Sequence, residues 1–585
     1  MQRRDFIRSG FQLAAVTALA APSDILKAEA DLTKDMSFDP SLWMGDLAIV
    51  NANVYTLDPR KPKAQAVLVR NGRILLVGST SEIRSQARGI KVLDAGGSAL
   101  VPGFVDTHCH LDTTANGLAG LTYDEWFDNP PQSVPAMIAK LREIGAKTPP
   151  GKWIVANGVI ASAVPEKRLP TMAELDSLGI PNPIIIRDNG HNCTFNSMGA
   201  KLKGLLTSED QANMRWKTNG WPVRGGFVTR DDQGRPITAY DYCGVTEDLF
   251  TPAEQADAVS KMINKHFVSG GITTLCQLPA MGGRNHYYGL QMLQQQAQLP
   301  MRIRAYFTCP YQNSVEQILS LGLARGFGND MFRMGGIKIF VDQARFGGGE
   351  ITLDEDTENP SAFNASAGQR MMHQFDEDEL ANLLVQIQSR GFPVLMHVLS
   401  EAGTELCMNA VKQLRERRAG LLQLPHRVEH WRPTLENAKK MKDLNMFFSI
   451  IATAPNYPAD WAQSPGTTYR DYVAAGCRPV LASDFAGGYH QLNHPIYSIA
   501  KACNEQSGGG DAAAGQAIDF ETALKTWTLW AAESTMQAGD RGTITPGKLG
   551  DFSLLSGNPG SMKQDALMTL KNDVTILGGK VVYER

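Results

Sequence analysis

Through most of this chain, short apolar runs bounded by turn residues alternate with longer stretches whose apolar positions recur at helical spacing. The two ends depart from that rhythm. Residues 46–50, 53–57, 66–69 and 73–77 follow one another closely as strand-like runs, and Asn71-Gly72 between the last two is a hairpin signal. The C-terminus repeats the style with runs 551–555, 574–577 and 580–583, the last two joined by Gly578-Gly579. Two such ends predict one small β-sandwich domain built from residues 46–97 plus 540–585. Two unrelated terminal hairpins are the alternative.

Residues 98–539 carry the alternating pattern of a parallel α/β fold. Strands are expected at 100–107, 272–276, 302–307, 337–341, 394–396, 427–429, 446–450 and 479–483. That count fits a (β/α)8 TIM barrel with a large insertion, 113–255, after strand 1. The insertion has strand-like runs of its own at 153–155 and 183–187. A Gly/Ala-rich patch at 507–515 reads as a loop.

Composition adds little to this picture except exclusions. The 585 residues are 43% hydrophobic and 20% charged, which is ordinary for a globular chain with a large core. With 57 basic against 60 acidic residues, nothing points to a nucleic-acid or anionic-membrane partner. The eight cysteines are scattered without a C-x-x-C pair, so neither a zinc ribbon nor a disulfide framework is expected. Oligomeric state is open, with a homo-oligomer compatible.

The N-terminus reads as a targeting segment. Arg3-Arg4-Asp5-Phe6 precedes an apolar stretch, 11–21, that is too short to span a bilayer. Paired arginines before a modest apolar region resemble a twin-arginine signal, expected to cover residues 1–30. An ordinary secretory signal, or chance basic residues, are the alternatives. The expectation is a periplasmic or secreted protein that engages the twin-arginine export machinery and has no membrane span after signal removal.

Candidate chemistry sits at the ends of the apolar runs. Val101-Pro102-Gly103-Phe104-Val105-Asp106-Thr107-His108-Cys109-His110 ends in two histidines spaced i, i+2, which share a face of a strand. A lone histidine is more often a packing or surface residue, but this pair makes half of a metal site. His397 ends the run 392–397, His430 ends 426–430 and Asp484 ends 479–484. In a parallel barrel all of these lie at one rim. Imidazoles with a carboxylate suit Zn²⁺ or a similar divalent ion. Lys338, between two isoleucines within a strand, is either an edge residue reaching water or an inward lysine whose pKa is lowered by burial. A neutral amine can take up CO₂ as a carbamate, an anion able to bridge two metals.

Together the motifs VPGFVDTHCH, GIKIF, RVEHW, ASDF and the late GTITPGKLGDFSLL resemble the amidohydrolase superfamily of metal-dependent hydrolases. The closer likeness is to the branch that contains N-substituted formamide deformylases. The resemblance implies that His108 and His110 bind the more buried metal, that carbamylated Lys338 bridges, that His397 and His430 bind the second ion, and that Asp484 contacts the first. It also implies that Asp484 acts as general base and then acid. A single metal on His108, His110, His397 and Asp484 remains the alternative to two. The implied reaction is hydrolysis of a C–N bond in a small-molecule amide, N-acyl or N-formyl amine, or cyclic amide. Lactone or ester hydrolysis on the same scaffold is one alternative, and a non-catalytic binding protein is another.

Substrate contacts are expected from His191 in Asp188-Asn189-Gly190-His191, from Arg345 with its following glycines, and from His490, with His494 nearby on the eighth loop. Exposed loop residues are the alternative for each. Two stretches depart from the branch. Ser400-Glu401 stands where many members have Gly-Asp, and Thr238–Tyr242 by number, 238–242, stands where many have Gly-x-Leu-x-Glu. Both stretches are expected near substrate, so substrate specificity does not carry over from the branch. Cys109, between the paired histidines, is expected to point away into the core.

Overall fold

The computed structural model describes residues 40–585 apart from 128, 160–163, 167, 189–191, 203–225, 231–235, 242–249, 280–282, 310–311, 346–369, 374, 452–465 and 486–493. The signal expected over residues 1–30 lies outside the described residues.

Eight strands form the central parallel sheet: β1 (Phe104–Cys109), β2 (Ile272–Gln277), β3 (Arg302–Thr308), β4 (Phe332–Phe340), β5 (Val394–Val398), β6 (Arg427–His430), β7 (Phe447–Ile451) and β8 (Val480–Ala482). Each pairs with its neighbour in chain order. The ends meet through a parallel bridge between Cys109 and Phe485, with the Asp484 N–H donating to the His108 carbonyl at 2.9 Å and the His110 N–H to the Phe485 carbonyl at 3.1 Å. The result is the nearly closed α/β barrel expected from the run pattern. Most of its strands are buried on both faces because helices cover the outside, which is why they read as largely apolar runs. Helix starts are equally legible. Thr251 with Glu254, and Asp376 with Glu379, form capping boxes that open helices Pro252–His266 and Glu377–Gln388.

One expectation needs correction. Residues 100–107 are not a single strand. Ala99–Pro102 pairs antiparallel with Phe552–Leu555 in another sheet, and the barrel begins only at Phe104. The break falls at Gly103, where a Cβ would lie 2.3 Å from Thr273 Oγ1, so only glycine lets the chain cross so close to β2.

The remaining terminal strands form two sheets. One runs Arg73–Gly78, Ala66–Arg70, Leu47–Val50, Val92–Asp94. The other runs Lys580–Glu584, Asn572–Leu577, Phe552–Leu555, Ala99–Pro102, Asn53–Tyr55, Lys63–Ala64, and so mixes the two ends of the chain. Leu47, Ile49 and Val67 of the first share one buried cluster with Val54, Phe552 and Ile576 of the second. Asn71 and Gly72 both have positive φ, +48° and +74°, as the hairpin turn between twisted strands requires.

Between helix Leu111–Leu118, directly after β1, and helix Pro252–His266 lies a five-stranded sheet, in the order Gly226–Arg230, Pro236–Asp241, Asn192–Phe195, Ile184–Asp188, Ile154–Val159. It has its own core around Leu141, Ile154, Ile184 and Ile186. Among the described residues no helix is long and apolar enough to cross a membrane.

Candidate metal centre

Barrel closure itself assembles the site, because the hydrogen bond from Asp484 N–H to the His108 carbonyl sets the end of β8 against the end of β1. His108 lies within β1, and His110 is the N-cap residue of helix Leu111–Leu118. His430 closes β6 and Asp484 follows β8, and both have left-handed backbone, φ +75° and +46°. Such angles are uncommon for residues with a Cβ and cluster at functional sites. In β6, alternation puts Arg427 and Glu429 on one face, and regular alternation would send His430 to the other. The turn at His430 instead carries its ring to the mouth of the barrel.

The Asp484 carboxylate is the hub. Its Oδ1 lies 3.4 Å from His108 Nε2 and 3.1 Å from His110 Nε2, and its Oδ2 lies 3.3 Å from His430 Nδ1. Ligand atoms of His108, His430 and Asp484 all fall within 4.8 Å of one another. The His430 ring centroid is 4.7 Å from that of His108 and 4.5 Å from that of His397, so His397 extends the cluster on the β5 side. Lys338 is buried in β4 at 2% exposure, its ammonium 5.6 Å from the Phe340 ring, which in turn packs 5.0 Å from His397.

Two histidines have Nδ1 fixed as the donor. His110 Nδ1 lies 2.6 Å from the Leu278 carbonyl, which can only accept, so Nδ1 carries a proton and Nε2 is the ring atom turned toward the cluster. His108 Nδ1 lies 2.6 Å from Glu429 Oε2. Burial would raise the Glu429 pKa, but the Arg427 guanidinium and His108 hold it below the ordinary carboxylate range. The carboxylate therefore accepts, and His108 Nε2 also faces the cluster. A histidine whose far nitrogen is held by a carboxylate or carbonyl is the usual arrangement of a metal ligand.

Electrostatics distinguish the three histidines. Burial, then the Lys338 charge, depress His108 to a pKa of about 3. Burial also lowers His430. At His110, burial is outweighed by the hydrogen bond and charge of Asp484, and its pKa rises. Burial pushes Asp484 upward, yet His108, His430 and the hydrogen bonds from His110 and His430 hold it well below its ordinary value. Imidazole nitrogens gathered on one ionised carboxylate form a donor set suited to a divalent cation.

The structure thus brings His108, His110, His430 and Asp484 together and sets His397 and Lys338 alongside. His191 and His490 lie outside the described residues. Arg345 ends strand Asp342–Arg345, which pairs with Arg370–His373 after β4. His494 is the N-cap residue of helix Pro495–Cys503. Cys109 is buried, its thiol 3.6 Å from the Phe485 carbonyl.

Ser400 and Glu401 prove to be framework residues. Ser400 Oγ donates to the buried Asp342 carboxylate at 2.5 Å and caps helix Glu401–Arg417. Glu401 accepts from Trp431 Nε1 at 2.5 Å and from Thr434 Oγ1 at 2.8 Å, which pins the chain just beyond His430.

Sequence reasoning overlooked Arg427 and Glu429. Both are fully buried in β6 and in contact with each other, and Arg427 Nη2 also donates to the Thr107 carbonyl at 2.7 Å. Two opposite charges at i, i+2 within a buried strand were the available signal.

The sequence model of a family described as "Amidohydrolase family" matches residues 91–583. The chain is 25% identical to an N-substituted formamide deformylase of Arthrobacter pascens over 93% of its own length and 99% of the relative's. In fold it is similar to an uncharacterized metal-dependent hydrolase from Pyrococcus horikoshii, with a TM-score of 0.62, 18% identity, and 89% and 99% of the two chains covered. It is also similar to atrazine chlorohydrolase TrzN from Arthrobacter aurescens in complex with zinc, with a TM-score of 0.51, 13% identity, and 92% and 95% covered.

Proposed function

Because the chain belongs to the amidohydrolase family, we propose that it is an exported, zinc-dependent hydrolase of a non-peptide C–N bond in a small amide, N-acyl or N-formyl amine, or cyclic amide. The observation that carries this reading is the convergence of the His108, His110 and His430 rings on the Asp484 carboxylate at the closing seam of the barrel. A divalent ion bound there supplies a polarised carbonyl and a water that ionises near neutral pH. His108 and His110 would hold it through Nε2, oriented by Glu429 and by the Leu278 carbonyl. Asp484, kept ionised, takes the proton of the attacking water and delivers it to the departing nitrogen. An amine leaves far more readily once protonated, so a base that becomes an acid at this position serves C–N cleavage.

His397 and His430 would hold a second ion, with Lys338 as its carbamate bridging the two. Support for two ions is the position of Lys338, buried in β4 on the His397 side of the cluster. We assign substrate contacts to His191, Arg345 and His490, and export to the twin-arginine machinery on the strength of Arg3-Arg4 and the apolar stretch after it.

The test is a screen of zinc-loaded protein against N-formyl amines, other amides, imides, lactones and esters. Turnover of a C–N substrate, lost with a chelator and restored by zinc, is expected. Turnover confined to esters or lactones, or hydrolysis indifferent to metal removal, overturns the reading.

A further inference from the structure

Three arginines are buried where the barrel meets the terminal sheets. Arg302 and Arg304 lie on β3 and Arg541 precedes the strand Phe552–Leu555, with exposures of 3%, 2% and 4%. Arg302 and Arg304 are two residues apart and therefore on the same face of their strand. Their only fully ionic partner at comparable burial among the described residues is Asp551. That carboxylate is committed. It takes two hydrogen bonds from Arg302 at 2.8 and 3.0 Å and one from the Gly578 N–H at 2.8 Å, and stands 3.8 Å from Arg541. Asp330 and Asp540 are partly exposed and pair with Arg333 and Arg73.

Arg304 is met by neutral groups alone. Its Nε donates to Gln537 Oε1 at 2.8 Å, and its Nη1 to the Ile303 and Asp330 carbonyls at 3.0 and 3.1 Å. Arg541 Nη1 reaches Thr274 Oγ1. Arg304 Nη2 and Arg541 Nε and Nη2 have no hydrogen-bond partner among the described residues. Burial, then the neighbouring Arg541 charge, push the Arg304 pKa well down, as expected of cations short of a counter-charge. Arginine does not escape by losing its proton, as a buried lysine can. Water would fill the hydrogen bonds but leave the charges uncompensated.

We propose that this junction binds a small monovalent anion of the chloride type, held by Arg304 Nη2 and by Arg541 Nε and Nη2. The donors are almost wholly buried, so the anion must shed its water. Halide or nitrate does this more easily than sulfate or phosphate. Bound there, it ties β3 to the segment that leads into the last sheet strands, and it fastens the terminal sheets to the barrel away from the metal centre.

Bromide supplies the probe. Crystals of metal-loaded protein soaked in sodium bromide should give an anomalous peak at the bromine edge, within hydrogen-bonding reach of both Arg304 and Arg541. An ordered water there without bromine signal overturns the proposal. In solution, chloride in place of gluconate at equal ionic strength should raise Tm by about 2 °C once the anion stands a hundredfold above its Kd, and Arg541→Met should abolish that shift. No shift in the wild type, or a shift that persists in Arg541→Met, counts against the site. The crystallographic arm needs no variant, so it decides the matter even if Arg541→Met does not fold.

Discussion

Replacing Glu429 by glutamine separates two roles that one carboxylate performs. Glu429 is fully buried, accepts a hydrogen bond from His108 Nδ1 at 2.6 Å, and neutralises Arg427, which is equally buried. Glu429→Gln keeps the shape and removes the charge. Arg427 is then a buried cation without its counter-charge, and breaking a buried pair from one side costs about 3–5 kcal/mol of stability. At His108 the loss of an orienting carboxylate should weaken metal binding about 10–100-fold, which is about 1.4–2.7 kcal/mol. The double variant Arg427→Met/Glu429→Gln distinguishes the two effects. Removing the stranded cation should recover most of the stability, because the pair itself contributes little over apolar packing. Metal affinity should stay low, because His108 still lacks its anionic acceptor. Urea unfolding reads the first quantity, and competition with a chromophoric chelator reads the second. Unchanged zinc affinity in Glu429→Gln, or affinity that returns together with stability in the double variant, would refute this division of labour.

Further outcomes follow from the same geometry. Asp484→Asn should retain the fold and much of the bound metal yet lose about 10²–10⁴-fold in kcat, and near-normal kcat on a C–N substrate would remove Asp484 from proton transfer. Lys338→Ala should lose activity and regain part of it with short carboxylic acids that stand in for a carbamate, while intact-mass analysis of native protein should show the added carboxylate; absence of both sinks the bridging role. Burial raises Asp342 to about 7, against an unfolded value of about 3.9. Between these values the folded chain holds a proton that the unfolded chain has released, so the contribution of Asp342 is full below about pH 4 and is lost as pH rises through 7. The stability gap between wild type and Asp342→Asn should therefore widen from pH 7 to pH 5, within a total span of about 4 kcal/mol, and a gap that does not change with pH would show that Asp342 titrates normally.

Most of the barrel could be read from the chain because most of its strands are buried on both faces and so announce themselves as apolar runs. The rim residues His108, His397, His430 and Asp484 were readable for a related reason, since the C-terminal ends of strands in a parallel barrel gather at one rim. Two kinds of feature were hidden. The split at Gly103 depends on a close crossing against Thr273, a tertiary contact with no local signature beyond the glycine itself. Ser400 and Glu401 lie beside the site in sequence, yet their side chains bond Asp342, Trp431 and Thr434, and only the fold shows which neighbour claims them. Arg427 and Glu429 stand out in the sequence as charges within a strand, but only the fold shows that they pair with each other.

The claim on which the rest depends is that the His108, His110, His430 and Asp484 cluster is a divalent metal site. Diffraction data collected above and below the zinc edge, on crystals grown from zinc-loaded protein, test it most directly. An anomalous peak is expected within coordination distance, about 2.0–2.2 Å, of His108 Nε2, His110 Nε2 and an Asp484 oxygen. Zinc found elsewhere in the molecule, with those four side chains bonded to one another as they stand, would contradict it.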